Sequence, residues 1–405
     1  MHTKSIVWQN CIMSNQIQSA PFTCPACGLL CDDITPSNNT CAKSIAFFGQ
    51  KLGETNPQIK GQKVSLQEAV SAAAKILKNS QKSLFAGLST DITGFKALES
   101  LAQKTNASLM HINAQSMARN LKVLQSSGWQ TTTLTEVKNR ADLIVCIGND
   151  IVSHNPRFFE RFVDVEGMFV TKREVIYLAT EHAPEGSWLL PCGAVHLPEV
   201  LAALHALVLG KTLKASHVAG LAIADLQALA NKLKTSKYAV LTWIAKDLDF
   251  PHAELAIQQI TQLVATLNHT TRAAGLPLGG SDGDTSSNNI HTWRNGVILD
   301  DAPAANIHAS AGDAVVWINS FSAEKLPPKN DVPTIFLGNS NSVLGNANSV
   351  FATPPDVFIP VATPGLDCDG ALFRVDGAVI LPLKKVRKND LPTLAEILHQ
   401  IESLL

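Results

Sequence analysis

Short apolar runs of strand length, separated by stretches of helical period, recur along this 405-residue chain, and they constrain its fold more than any other feature. Residues 141–148 read ADLIVCIG, an almost unbroken apolar run ended by glycine. A strand with no polar alternation is buried on both faces, as in a parallel sheet covered by helices. Similar runs fall at 83–87, 107–112, 238–244, 314–318, 334–337 and 357–361. Helical spacing lies between them. Ser65-Leu66-Gln67-Glu68 has the form of a capping box ahead of Ala69, Val70, Ala73, Ile76 and Leu77. Residues 94–104, 199–209 and 394–405 also carry helical periodicity. The expected class is α/β, multi-domain, built of parallel-sheet units covered by helices.

Composition narrows the function. Lys+Arg 33 against Asp+Glu 34 leaves a formal charge of −1, so no broad basic surface awaits a nucleic acid. No run reaches the ~18 apolar residues of a membrane span, and residues 1–20 form a polar lead without a signal-peptide core. The expectation is a soluble, cytoplasmic protein with no membrane partner. A near-neutral chain of low charge density also suits a subunit of a larger assembly.

Four of the eight cysteines are crowded into Cys24-Pro25-Ala26-Cys27-Gly28-Leu29-Leu30-Cys31 and Cys41, spaced C-x2-C-x3-C-x9-C. Thiolates so spaced can converge on a [4Fe–4S] cluster or a Zn ion, or remain reduced in a packed turn. A second candidate is the loop after the 141–148 strand, where Asn149, Asp150 and His154 stand at the position where parallel sheets take ligands. His291, Trp293 and Arg294 follow the polar stretch 279–289 (GGSDGDTSSNN), which reads as a solvated loop. Its Asp282-x-Asp284 start fails as a calcium loop, because the sixth position is Ser287 and the twelfth Trp293. No glycine-rich dinucleotide loop, Walker motif, zincin helix or hydrolase elbow is present.

The cysteine motif with Asp32, Asp33 and Ile34 resembles that of the B subunit of formylmethanofuran dehydrogenase, in the molybdopterin/tungstopterin oxidoreductase superfamily. Further stretches match in order: 85–90 (FAGLST), Gly148-Asn149 with His154, Trp293-Arg294-Asn295-Gly296, and 357–362 followed by Asp369-Gly370 and 373–377 (FRVDG). The resemblance implies domains I–III of the molybdopterin oxidoreductases. Residues 1–55 would pack with 357–405, residues 56–137 with 310–356 would form one α/β domain, and 138–309 an inserted second one. It also makes Asn149, Asp150, His154 and Arg294 lining of a remnant cofactor groove.

The departures are informative. The family's dehydrogenases carry a metal-ligating Cys or selenocysteine where this chain reads Asp91-Ile92-Thr93-Gly94-Phe95. A hard carboxylate is a poor substitute for soft sulfur at a metal–dithiolene site. These losses resemble the B subunit of the bacterial formyltransferase/hydrolase complex. That resemblance implies no tungsto- or molybdopterin and no redox chemistry. It implies partners instead: a formyltransferase subunit, a zinc amidohydrolase subunit, a third subunit, and a methanofuran-like carrier. The acidic tail of that carrier would meet bases such as Arg119, Lys122, Arg157, Arg161 and Arg294. Two alternatives stand beside it: an active formate oxidoreductase with pterin-bound metal and a cluster, and an unrelated α/β protein with a Zn knuckle.

Overall fold

The computed structural model describes residues 21–180, 183–299, 312–327, 331–342 and 355–405. The polar lead 1–20, with Cys11, and most of the loop after Gly338 lie outside the described residues. The chain divides into two compact units. One runs to Gln115 and resumes at Gly280, and the other is Ser116–Gly279.

In the first unit the strands Val357–Val361, Thr334–Asn339, Ala314–Asn319, Ser83–Ser89 and Ser108–His111 lie side by side and parallel. The short pair Gln58–Ile59 and Gln62–Lys63 extends the sheet antiparallel beyond Val357–Val361. Every residue of Ser83–Ser89, Ala314–Asn319, Thr334–Asn339 and Val357–Val361 is buried, which accounts for their unalternating composition. Helices Leu66–Asn79, Ile92–Lys104 and Leu394–Ser403 cover the sheet. The Ser65 box forms as read: Ser65 Oγ accepts from Glu68 N, and the Glu68 carboxylate accepts from Ser65 N at 2.8 Å. Thr393 and Glu396 repeat it on the last helix.

The cysteine segment belongs to this unit and packs against the C-terminal stretch. Val375 N donates to Gly28 O at 2.9 Å, and Gly28 N donates to Gly280 O at 2.8 Å. The units are thus divided at 115/116 and 279/280, where the three-part reading has 137/138 and 309/310. Residues 280–299 stay with the first unit because Asn113 bonds Ser281 and Asp284, and because the Asp284–Asn295 helix lies against Ile92–Lys104.

The second unit is a five-stranded, wholly parallel sheet in the order Ala273–Pro277, Ala239–Trp243, Leu143–Ile147, Glu174–Leu178, Trp188–Leu190. Helices Leu197–Val208, Ile223–Thr235 and Glu254–Leu267 supply a leucine-rich core against it. Trp243 is fully buried and donates Nε1–H to Asn120 Oδ1 at 2.8 Å.

One sequence reading is corrected here. Residues 284–289 are not a solvated loop but the first half of the helix Asp284–Asn295, with Ser286 and Ser287 fully buried. Weak propensity for helix is overridden because these small hydroxyls reach neighbouring backbone: Phe373 N donates to Ser286 Oγ at 2.8 Å, and Ser287 Oγ donates to Leu88 O at 3.4 Å.

Candidate functional site

Each sheet reverses its winding at one place, and doubly wound sheets take their ligands at the carboxyl ends of the strands there. In the first unit this point lies between Ser83–Ser89 and Ala314–Asn319, in the second between Leu143–Ile147 and Ala239–Trp243.

At the first point the chain leaves Ser83–Ser89 through Leu88, at φ 54°, and reaches Asp91. Asp91 is the N-cap of Ile92–Lys104. Its Oδ1 accepts from Gly94 N at 3.0 Å and its Oδ2 from Thr93 N at 3.3 Å, with Ala371 N a further donor. Gly370 backs onto the carboxylate, and a Cβ there would lie 3.0 Å from Asp91 Oδ2. Burial pushes the Asp91 carboxyl up, and these donors hold it partly back.

Beside it lies a group that the sequence did not disclose. Asp282 sits at φ 59°, almost buried, and forms an ion pair with Lys325. Ser89 Oγ donates to Asp282 Oδ1 at 3.3 Å. His111 Nδ1 accepts from Asn113 N at 3.0 Å, so the ring hydrogen is on Nε2, 3.3 Å from Asp282 O. Burial raises Asp282, but the Lys325 charge and hydrogen bonds outweigh it and leave the carboxyl below its usual range. Burial lowers His111 and keeps the ring neutral. Gly283, at φ 74°, is required next to it, because a Cβ would come 2.2 Å from Thr90 O. The only sequence signal was the Asp282-x-Asp284 pattern; the Lys325 partner lies 43 positions away.

At the second point Asn149 Nδ2 donates to Thr242 O at 3.1 Å. Asp150 caps the short helix Ile151–His154 through Ser153 N at 3.0 Å. Asp247 ties the loop together, accepting from Asp150 N at 2.8 Å and pairing with His154 Nε2 at 2.7 Å. Asn155 holds Gly279 by two bonds, 2.8 Å and 2.7 Å. The structure therefore brings Asn149, Asp150 and His154 together in one loop of the second unit. Arg294 belongs to the first unit. There its guanidinium lies 3.0 Å from the buried Glu99, which also meets His291 at 2.7 Å.

Cys24, Cys27 and Cys31 share one buried turn, closed by Cys24 N donating to Cys31 O at 2.8 Å. Burial, with Cys27 and Cys31 nearby, pushes the Cys24 thiol up to about 12. Cys41 is the N-cap residue of Ala42–Phe48. No group of three or more His, Cys, Asp or Glu among the described residues is placed to hold a metal ion. The family's groups do not fit this donor set as it stands: Asp91 has both oxygens engaged by backbone N–H, and the four thiols do not form one ligand set.

Most of the bases proposed to face an acidic tail are committed within the chain. Arg119 donates to Ala245 O at 2.7 Å and pairs with Asp249, Arg157 pairs with Glu160 at 2.6 Å, and the Arg161 guanidinium lies 5.5 Å from the Phe162 ring centre. No helix among the described residues is long and apolar enough to cross a membrane.

The two sheets, their winding and the cysteine segment folded onto the C-terminal stretch define a fold of the molybdopterin-oxidoreductase type. Acetylene hydratase from Pelobacter acetylenicus superposes with a TM-score of 0.61 at 9% identity, over 95% of this chain and 69% of that one. The formyltransferase/hydrolase complex of Methylorubrum extorquens, solved with methylofuran, contains a chain that matches with a TM-score of 0.71 at 24% identity, over 86% of this chain and 98% of that one. No family model matches the sequence. By sequence the chain is a homologue of the B subunits of formylmethanofuran dehydrogenase and of the formyltransferase/hydrolase complex. The B subunit of tungsten-containing formylmethanofuran dehydrogenase 2 of Methanococcus maripaludis is 24% identical over 90% of this chain and 93% of its own length. The B subunit of the formyltransferase/hydrolase complex of Methylorubrum extorquens is 25% identical over 80% of this chain and 89% of its own length.

Proposed function

We propose that this chain is a non-redox structural subunit of a formyltransferase/hydrolase complex in tetrahydromethanopterin-linked one-carbon metabolism, in which formaldehyde is oxidised to formate. The observation that carries the reading is Asp91. By the resemblance it opens the loop in which the dehydrogenases place a sulfur or selenium ligand, and its carboxylate is spent on capping Ile92–Lys104. A carboxylate already holding three backbone donors has little left to offer a metal–dithiolene centre. The chain would hold a formyltransferase subunit, a zinc amidohydrolase subunit and a third subunit in one cytoplasmic hetero-oligomer that serves a methanofuran-like carrier. The likeness to the B subunit of the Methylorubrum complex supports this assembly. Asn149, Asp150, His154 and Arg294 are then remnants of the cofactor groove.

A second reading, an active formate oxidoreductase with tungsto- or molybdopterin and a [4Fe–4S] cluster, is favoured by the retained Cys24, Cys27, Cys31 and Cys41 and by the tungsten-containing relatives. Affinity purification of the chain from its native cell separates the two. The first reading expects partner subunits with formyl-transfer and formate-releasing activity and no formate-dependent dye reduction. Dye reduction that copurifies with the chain contradicts it.

A further inference from the structure

The second unit carries a cleft of about 900 Å³ that takes in Asn149 and Asp150 of the remnant groove and extends beyond them. It is lined by Asn149, Phe159 and Tyr177 among others. Asn149 is only 6% exposed, and its amide nitrogen is used by Thr242. Its Oδ1 is buried and has no hydrogen-bond partner among the described residues. A buried acceptor left open calls for a donor. The charges at the rim agree. Asp142, Asp150, Asp164 and Glu174 line the cleft against Lys172 and Arg173, and Glu174 is paired with Lys232 at 2.7 Å, which leaves an excess of one negative charge. The Arg173 guanidinium is already spent on the carbonyls of Val137, Lys138, Val163 and Val165. Asp164 is exposed, with the Arg173 charge as an electrostatic neighbour. The Phe159 and Tyr177 rings, 6.5 Å apart, offer aromatic faces in the same cleft.

We infer that this cleft binds an organic cation, a protonated amine or guanidinium with an apolar body. Its N–H meets Asn149 Oδ1, its charge meets Asp150 and Asp164, and its body lies on Phe159 and Tyr177, as aromatic and anionic groups together favour. An acidic ligand is repelled here. The inference rests on the proposed reading that no pterin cofactor occupies the groove at Asn149 and Asp150.

Calorimetric titration of the full-length chain tests it, with 2-phenylethylammonium as probe and phenylacetate and 2-phenylethanol as anionic and neutral controls. The expected result is saturable one-to-one binding of the ammonium, at least about tenfold tighter than either control. Asp164→Asn, at an exposed position, weakens it, and Lys172→Glu strengthens it. Repeating the titration on the native complex distinguishes the source: retained binding assigns the cleft to a free amine, and loss on assembly assigns it to a Lys or Arg side chain of a partner protein. Absence of saturable binding by the free chain, equal binding of phenylacetate, or indifference to both substitutions overturns the inference.

Discussion

The strand ends after Ser89 and after Ile147 occupy equivalent points in two sheets of the same winding, yet they are finished in opposite ways. After Ser89 the charged and ring groups are answered within the chain, Asp91 by helix N–H groups, Asp282 by Lys325 and Ser89, His111 by Asn113 and a carbonyl, while the Thr90 and Ser320 hydroxyls stay buried without a partner among the described residues. After Ile147 the loop is tied by Asp247, but Asn149 Oδ1 stays open and Asp164 stands beside a cleft. The two ends therefore differ in how their buried charges are matched and in the cleft that only the second is shown to carry among the described residues. Closure shows as buried charge matched in pairs. The proposed receptivity rests on a buried amide acceptor without a donor that also lines a cleft.

Substitutions should respond accordingly. The largest effect is expected at the closed end. Lys325→Met leaves Asp282 buried and unpaired and should cost about 2–4 kcal/mol in urea unfolding, less than a fully buried pair because Lys325 is partly exposed. The pH dependence follows from the depressed Asp282 carboxyl. Its pairing contributes fully above the unfolded value of about 4 and is lost as pH falls through the lower folded value. The variant should therefore lose most stability relative to the parent at neutral pH, with the gap narrowing in acid. Equal loss at all pH values would mean that the pair is a packing contact only.

Asp91→Ala should cost about 1–2 kcal/mol, the scale of a lost N-cap. Asp91→Asn should be milder and change the pH profile. The folded Asp91 carboxyl is raised, so this group favours the fold below about pH 4 and its contribution is lost as pH rises through its folded value. Asn removes that loss, which stability curves between acid and neutral pH would reveal. If Asp91→Asn and Asp91→Ala prove equally destabilising and equally pH-dependent, the cap is not what the carboxylate does. The smallest effect belongs to the second unit: His154→Ala should cost about 0.5–1 kcal/mol, since the Asp247 pair is partly solvated.

Much of this was legible in the sequence. Unalternating apolar runs located strands such as 141–148 and 357–361 because burial on both faces leaves no polar period. The Ser65–Glu68 box located a helix because capping is a local interaction. Asp91 was visible at the start of a helical run, but the further hydrogen bond its carboxylate takes from Ala371, at the far end of the chain, was not. The helix within 284–289 and the Asp282–Lys325 pair were unreadable for the same reason. Both depend on contacts that residue spacing does not encode. The cysteine spacing suggested convergence on a metal; in the structure Cys24, Cys27 and Cys31 lie in one buried segment and Cys41 is the N-cap residue of Ala42–Phe48.

Elemental analysis of the chain purified anaerobically with its native partners tests the central claim most directly. A structural subunit with a capped metal-ligand position predicts no W or Mo above background, with Zn stoichiometric to a partner. Stoichiometric W or Mo travelling with this chain would contradict it.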